Sequence, residues 1–199
     1  MVFYWIGGSI LMEPLILASA SPRRRELLSR LHIPFEVISA DVDETFSGGA
    51  SAAVGVLSVR KAKAVQSLYP GRFILAADTL VALNDEPLGK PSDPSDAVRM
   101  LRLLSGRTHQ VYTGVCVISP SGGCYSGTDV SDVTFGTMTE DEILAYVKTG
   151  EPLDKAGAYA LQGQASLWIT GVNGSPSGII GLPLHLTGQL LREAGYRLL

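Results

Sequence analysis

Five residues in one short run, Ser19, Ser21, Arg23, Arg24 and Arg25, have the types and spacing to hold a phosphate. Leu15-Ile16-Leu17-Ala18 precedes them as an apolar segment, and Ser21-Pro22 is a helix-opening pair, serine at the N-cap and proline in the first turn. A helix N-terminus presents free N–H groups and a partial positive charge. Three arginines there oppose that dipole, each at about 0.3–1 kcal/mol in exposed sites. A bound polyanion removes the conflict, because N–H groups, serine hydroxyls and guanidinium forks all suit phosphate oxygens. The plainer reading is a capped surface helix with solvated arginines. No G-x-x-x-x-G-K-[ST] loop occurs in the chain.

A second signal is Asp78, set inside Phe73-Ile74-Leu75-Ala76-Ala77-Asp78-Thr79-Leu80-Val81-Ala82-Leu83. Aspartate is disfavoured in strands, and a buried unpaired carboxylate is costly. Such an acid needs a cation, a metal or a hydrogen-bond network, and it is a candidate general base or metal ligand. The alternative is a structural aspartate at a bulge or strand end. Asp41, Asp43 and Glu44 supply hard oxygens suited to Mg²⁺ or Mn²⁺, although for Asp41 and Asp43 a solvated loop is the better reading. Arg60-Lys61-Ala62-Lys63 reads as a solvated helical face. Lys90, held extended between Gly89 and Pro91, has the reach for a phosphate. Asp154-Lys155-Ala156-Gly157-Ala158-Tyr159-Ala160-Leu161-Gln162-Gly163 joins an acid–base pair to small residues that let a ligand approach the backbone. Gln162 there has the donors and acceptor to read the edge of a base, and a simple turn is the alternative.

Positioning these groups falls to alternating strands and helices. Strands are expected at Leu15–Ala18, Phe35–Ser39 and Phe73–Leu83, the last turned by Asn84-Asp85. Helices are expected from Ser21 to about Leu31, over Ala52–Leu68, and from Asp93-Pro94 to Ser105-Gly106. Val111–Ile118 and Tyr125–Phe135 read as a hairpin. Thr139 and Glu142 form a capping box for a helix ending near Gly150. Ser166–Val172 and Gly178–Ile180 read as a further hairpin around Asn173-Gly174, and Pro183 opens the last helix. Early alternation and later hairpins predict a mixed-sheet α/β fold.

With 199 residues and 46% hydrophobic side chains, the chain can bury a core. Sixteen Lys and Arg against 19 Asp and Glu leave a net charge of −3, which argues against broad binding to a nucleic-acid backbone. Cys116 and Cys124 are read as reduced cytoplasmic thiols, with a hairpin contact as the alternative. Residues 1–13 read as a short apolar extension, with Met12 as an alternative start, and residues 14–199 as one domain. No stretch has the roughly 20 apolar residues that a membrane span needs.

Taken together, Leu15 to Arg24, Val42-Asp43-Glu44, Lys61-Ala62, Ala77-Asp78-Thr79, Gly89-Lys90-Pro91, Leu104-Ser105-Gly106, Asp154 to Gly163 and Gly181-Leu182-Pro183 resemble the Maf family, in family order and over nearly the whole chain. The resemblance implies a two-lobed mixed α/β fold with a central cleft, related to the inosine triphosphate pyrophosphatase group. It implies hydrolysis between the α and β phosphates of a nucleotide, helped by a divalent cation, Mg²⁺ or Mn²⁺, in a cytoplasmic homodimer. Asp78 matches the proton acceptor and Glu44 the polar cleft, and these two acids are the expected metal ligands. Ser19, Arg23, Arg24, Lys61 and Lys90 match the polar cleft. Arg23, Thr79 and Gln162 match the branch acting on dTTP and UTP, where the branch acting on 7-methyl-GTP has Trp, Gln and Glu. Ala160 and the Gly171–Gly178 turn depart from the family pattern without removing a matched polar residue. A nucleotide-binding regulator without catalysis is the alternative of a different class.

Overall fold

The computed structural model describes residues 4–6, 9–11, 14–46 and 48–198. In the extension, β1 (Tyr4–Ile6) pairs antiparallel with β2 (Ser9–Leu11). Met1 and Met12, the two expected starts, lie outside the described residues.

From there a single mixed sheet organises the chain. β3 (Leu15–Ala18) is buried at every position and is flanked in parallel by β4 (Phe35–Ile38) and β5 (Ile74–Leu83). A continuous apolar run suits a strand covered on both faces. β5 then pairs antiparallel with β7 (Thr108–Ile118), β7 with β8 (Cys124–Phe135), and β8 with β9 (Ile169–Asn173). Short β6 (Glu86–Leu88) folds back on β5 through Asn84 and Asp85, whose φ angles of 53° and 65° suit a two-residue hairpin turn.

Local sequence explains the helices. Ser21 caps α1 (Pro22–Ser29) by accepting from the Arg24 N–H. α2 (Ala50–Leu68) buries Val54, Leu57, Ser58, Lys61, Ala62 and Val65, a stripe at helical spacing. Asp93 caps α3 (Pro94–Leu104), and the expected capping box of Thr139 and Glu142 opens α4 (Glu140–Lys148). Two elements close the chain, α5 (Pro176–Ile180) and α6 (Leu184–Glu193).

One expected element is different. Ser166–Val172 and Gly178–Ile180 do not pair as a hairpin. Gln164–Leu167 is a 3-10 turn, β9 pairs with β8, and residues Pro176–Ile180 are helical. The cause is local: the Ser175 side chain accepts from the Gly178 N–H and Pro176 fills the first helical turn, which is a helix start rather than a strand.

The core divides around the middle of the sheet. Leu15, Leu17, Leu27, Leu28, Leu75, Leu182 and Leu191 pack α1 and α6 on one face, and Ile16, Ala62, Val65, Ile74 and Cys116 pack α2 on the other. Val81, Leu101, Leu104, Phe135, Ile143 and Tyr146 form a separate cluster with α3 and α4. Long β5 and β7 contribute to these clusters at both ends, and the cleft opens between the resulting lobes. Among the described residues no helix is long and apolar enough to cross a membrane.

Candidate active site

The cleft has a volume of about 1020 Å³ and is lined by Ser19, Arg23, Arg24, Glu44, Lys61, Asp78, Thr79, Lys90 and Gln162, whereas Arg25, Asp41 and Asp43 lie outside it. Ser19, Arg23 and Arg24 come from the β3–α1 junction, Glu44 from the loop after β4, and Lys61 from α2. Asp78 and Thr79 come from the middle of β5, Lys90 from the segment after β6, and Gln162 from the loop before β9.

Asp78 is 7% exposed, and its Oδ1 lies 2.5 Å from Lys61 Nζ. The same ammonium reaches Glu44 Oε1 at 2.7 Å. Lys61 is only 8% exposed, so the reading of Arg60-Lys61-Ala62-Lys63 as a solvated face fails at this residue, although Lys63 is exposed. Gly114 permits the geometry. It sits opposite Asp78 on β7, and a Cβ there would lie 2.2 Å from the Val54 carbonyl oxygen. α2 therefore lies against the strand backbone, and two turns later Lys61 stands over Asp78. Arg60 ties the Glu44 loop to the same helix by donating to the carbonyls of Asp43 and Thr45. The hydrogen bond from Lys61, assisted by the charges of Lys90 and Arg24, holds the Glu44 carboxyl below the usual range. Asp41 and Asp43 are exposed, consistent with a solvated loop, and Asp43 accepts from the Thr45 N–H and hydroxyl.

Arg24 ties the β3–α1 junction to β5 and to the end of α5. Its Nε donates to the Gly181 carbonyl at 2.9 Å, and its two terminal nitrogens to Ser19 Oγ at 3.4 Å and Thr79 Oγ1 at 3.2 Å. Burial lowers its pKa, against the stabilising charge of Asp78. A guanidinium has five donors, so two remain for a ligand. Thr79 also shares a hydrogen bond with Thr113 at 3.0 Å.

The loop that carries Gln162 is braced at both ends. Tyr159 OH meets buried His109 Nε2 at 2.8 Å, and Gly157 N–H donates to the Gly89 carbonyl beside Lys90. Past Gln162, the Glu151 carboxylate accepts from Gln164 N–H at 3.1 Å and from Tyr146 OH at 2.7 Å. Gly163 makes room for it, since a Cβ there would lie 2.0 Å from Glu151 Oε1. The sequence reading missed Thr113, His109 and Glu151. Each acts through a contact distant in sequence, and only Gly163 hinted at a close approach.

Two carboxylates converging on one cation, with Arg23, Arg24 and Lys90 lining the same cleft, can hold a polyanion and its counter-ion beside a buried base. Among the described residues no group of three or more His, Cys, Asp or Glu is placed to hold a metal. The pair Glu44 and Asp78 fits a cation of the Mg²⁺ type, which commonly takes one or two carboxylates and completes its shell with water and substrate phosphates.

The sequence profile described as Maf-like protein matches residues 14–194. The dTTP/UTP pyrophosphatase of Myxococcus xanthus (strain DK1622) is 52% identical over 185 residues, covering 91% of this chain and 92% of that protein. The dTTP/UTP pyrophosphatase of Desulforamulus reducens is 46% identical over 187 residues, covering 92% and 98%. Among solved structures, the Ham1 protein of Staphylococcus aureus aligns at a TM-score of 0.48 and 18% identity, covering 78% of this chain and 91% of that one. On the strength of the profile and of relatives matched along nearly their whole length, this chain belongs to the Maf family.

Proposed function

We propose that this protein hydrolyses dTTP and UTP between the α and β phosphates, giving the nucleoside monophosphate and pyrophosphate. The observation that carries the reading is the buried Asp78 carboxylate facing a cleft that also holds Arg23, Arg24, Lys61 and Lys90. The names of the close relatives support the same substrates.

In this reading Arg23, Lys90 and the free donors of Arg24 take the triphosphate charge, assisted by the α1 N-terminus. Lys61 engages Asp78 at Oδ1, and no hydrogen bond to Oδ2 occurs among the described residues. Oδ2 takes the proton of a water positioned in line with the bond to be broken. That water's oxygen bonds to the α phosphorus, and pyrophosphate leaves with the bridging oxygen. Fixed cations stabilise the charge that builds on the phosphate oxygens. Lys61 keeps the two carboxylates in place and shares in this stabilisation. Glu44 and Asp78 would hold a Mg²⁺ or Mn²⁺ ion, which when bound supplies Lewis acidity and a template for the phosphates. Arg23, Thr79 and Gln162 read the base. The enzyme acts in the cytoplasm as a homodimer and has no nucleic-acid partner.

The test is pyrophosphate release from dTTP, UTP, CTP, dATP, GTP and 7-methyl-GTP, with and without Mg²⁺ or Mn²⁺. Metal-dependent release from dTTP and UTP supports the proposal. Preference for 7-methyl-GTP refutes the base-reading assignment, and dTTP binding without any release makes the protein a nucleotide-binding regulator.

A further inference from the structure

Thr79 belongs to a chain of oxygen contacts that fixes where its proton points. Thr113 Oγ1 lies 2.9 Å from the Gly178 carbonyl oxygen. A carbonyl has no proton to give, so the Thr113 hydroxyl must donate along that line. Thr79 Oγ1 lies 3.0 Å from Thr113 Oγ1, and the only proton left for that contact is the one on Thr79. Arg24 meets Thr79 Oγ1 at 3.2 Å and can only donate. The order is therefore Arg24 N–H to Thr79 O–H to Thr113 O–H to Gly178 C=O. Thr113 is 1% exposed, so water does not compete for its hydroxyl.

A threonine hydroxyl has one proton and two lone pairs. In Thr79 the proton goes to Thr113 and one lone pair to Arg24. Toward the cleft, Thr79 has only an acceptor to present. Thymine and uracil carry a proton on N3, whereas cytosine has a bare lone pair there. An acceptor facing N3 pairs with the first two and repels the third.

We propose that Thr113, through its bond to the Gly178 carbonyl, sets Thr79 as an obligate acceptor and so selects pyrimidine bases that carry an N3–H over cytosine. The inference rests on the assignment of Thr79 to base reading. Thr113 is a positioning residue here: it touches no substrate and acts through the proton of Thr79. The arrangement also uses α5, because the Gly178 carbonyl that orients Thr113 belongs to that helix.

The experiment compares kcat/KM for UTP and CTP in the wild type, Thr113→Val and Thr113→Ser. Valine keeps the shape but offers no acceptor, which frees the Thr79 proton to turn toward cytosine N3. The UTP-to-CTP ratio should fall about tenfold or more, the value of one hydrogen bond gained by one base and lost by the other. Turnover of saturating UTP should stay within about threefold, because the reacting atoms are untouched. Thr113→Ser restores the donor and should restore the ratio. An unchanged ratio in Thr113→Val, in protein with a wild-type melting profile, overturns the proposal. If valine prevents folding, wild-type enzyme with 3-methyl-UTP decides: a loss of about tenfold or more relative to UTP supports it, and equal use overturns it. A wild type that hydrolyses UTP and CTP equally overturns this inference alone, whereas one that hydrolyses neither overturns the function on which it rests.

Discussion

Replacing Lys61 by methionine isolates the interaction at the centre of the site. Lys61 and Asp78 are 8% and 7% exposed, and their charged atoms are 2.5 Å apart. Methionine fits the slot of the lysine stem but leaves the Asp78 carboxylate without its cation. Breaking a buried pair from one side costs about 3–5 kcal/mol, whereas an exposed pair is worth about 0.2–1 kcal/mol. Glu44 loses its partner too, but its side chain is 64% exposed and water replaces the contact. A domain has roughly 5–15 kcal/mol of stability in total, so the variant should fold and unfold at clearly lower denaturant. For a chain of this size the melting temperature should fall by roughly 6–20 °C. Adding Asp78→Leu removes the stranded charge, so the double variant should recover much of the loss. Urea unfolding of the wild type, both single variants and the double variant measures the coupling. A Lys61→Met protein within about 1 kcal/mol of wild type would mean that Lys61 lies on a solvated face and makes no buried pair with Asp78.

Other perturbations test the supports of the site. Gly114→Ala places a methyl group 2.2 Å from the Val54 carbonyl, so α2 must lift; pyrophosphate release and stability should fall together, and a fully active variant would contradict the close crossing. Glu151→Ala frees the Gln162 loop, which should raise KM for UTP by about tenfold with kcat nearly constant, while Glu151→Gln should be mild because Oε1 alone already accepts from both Tyr146 and Gln164. His109 is fully buried, and burial lowers its pKa to about 4 from 6.5. Between those values the unfolded chain binds a proton that the folded protein refuses, so stability is lost as pH falls from 6.5 to 4, by up to about 3 kcal/mol, and levels off below. His109→Gln, which still meets Tyr159, should flatten that part of the urea-midpoint profile, and an unchanged slope would exclude His109 as its source.

Much of this was legible in the residues, and the parts that were not share a cause. Helix caps announce themselves locally, and Ser21, Asp93 and the Thr139–Glu142 box fall where the sequence indicates. Lys61 shows how one pattern hides another. Four charged or small residues in a row suggest a solvated face, yet Lys61 is seven residues after Val54 and four after Leu57, on the buried stripe. Helical spacing was the better guide. Asn173-Gly174 suggested a hairpin, but Ser175-Pro176 immediately after it starts a helix too short to show periodicity. Thr113 gave no signal, because its role comes from strand register, and Glu151 gave only the indirect one of Gly163, beside which its carboxylate fills the space. Ser19, Arg23, Arg24, Glu44, Asp78, Lys90 and Gln162 stood out by residue type and spacing, Lys61 and Thr79 became site candidates only through family resemblance, and the physics of single segments left most of the nine open.

Asp78→Asn is the sharpest test of Asp78 as the base that activates water. Asparagine keeps the shape of the side chain and removes the base, so the measurement is pyrophosphate release from dTTP alongside dTTP binding by calorimetry, with Mg²⁺ present. Turnover should fall by at least about a hundredfold with dTTP still bound. An Asp78→Asn enzyme that releases pyrophosphate at the wild-type rate would contradict that role.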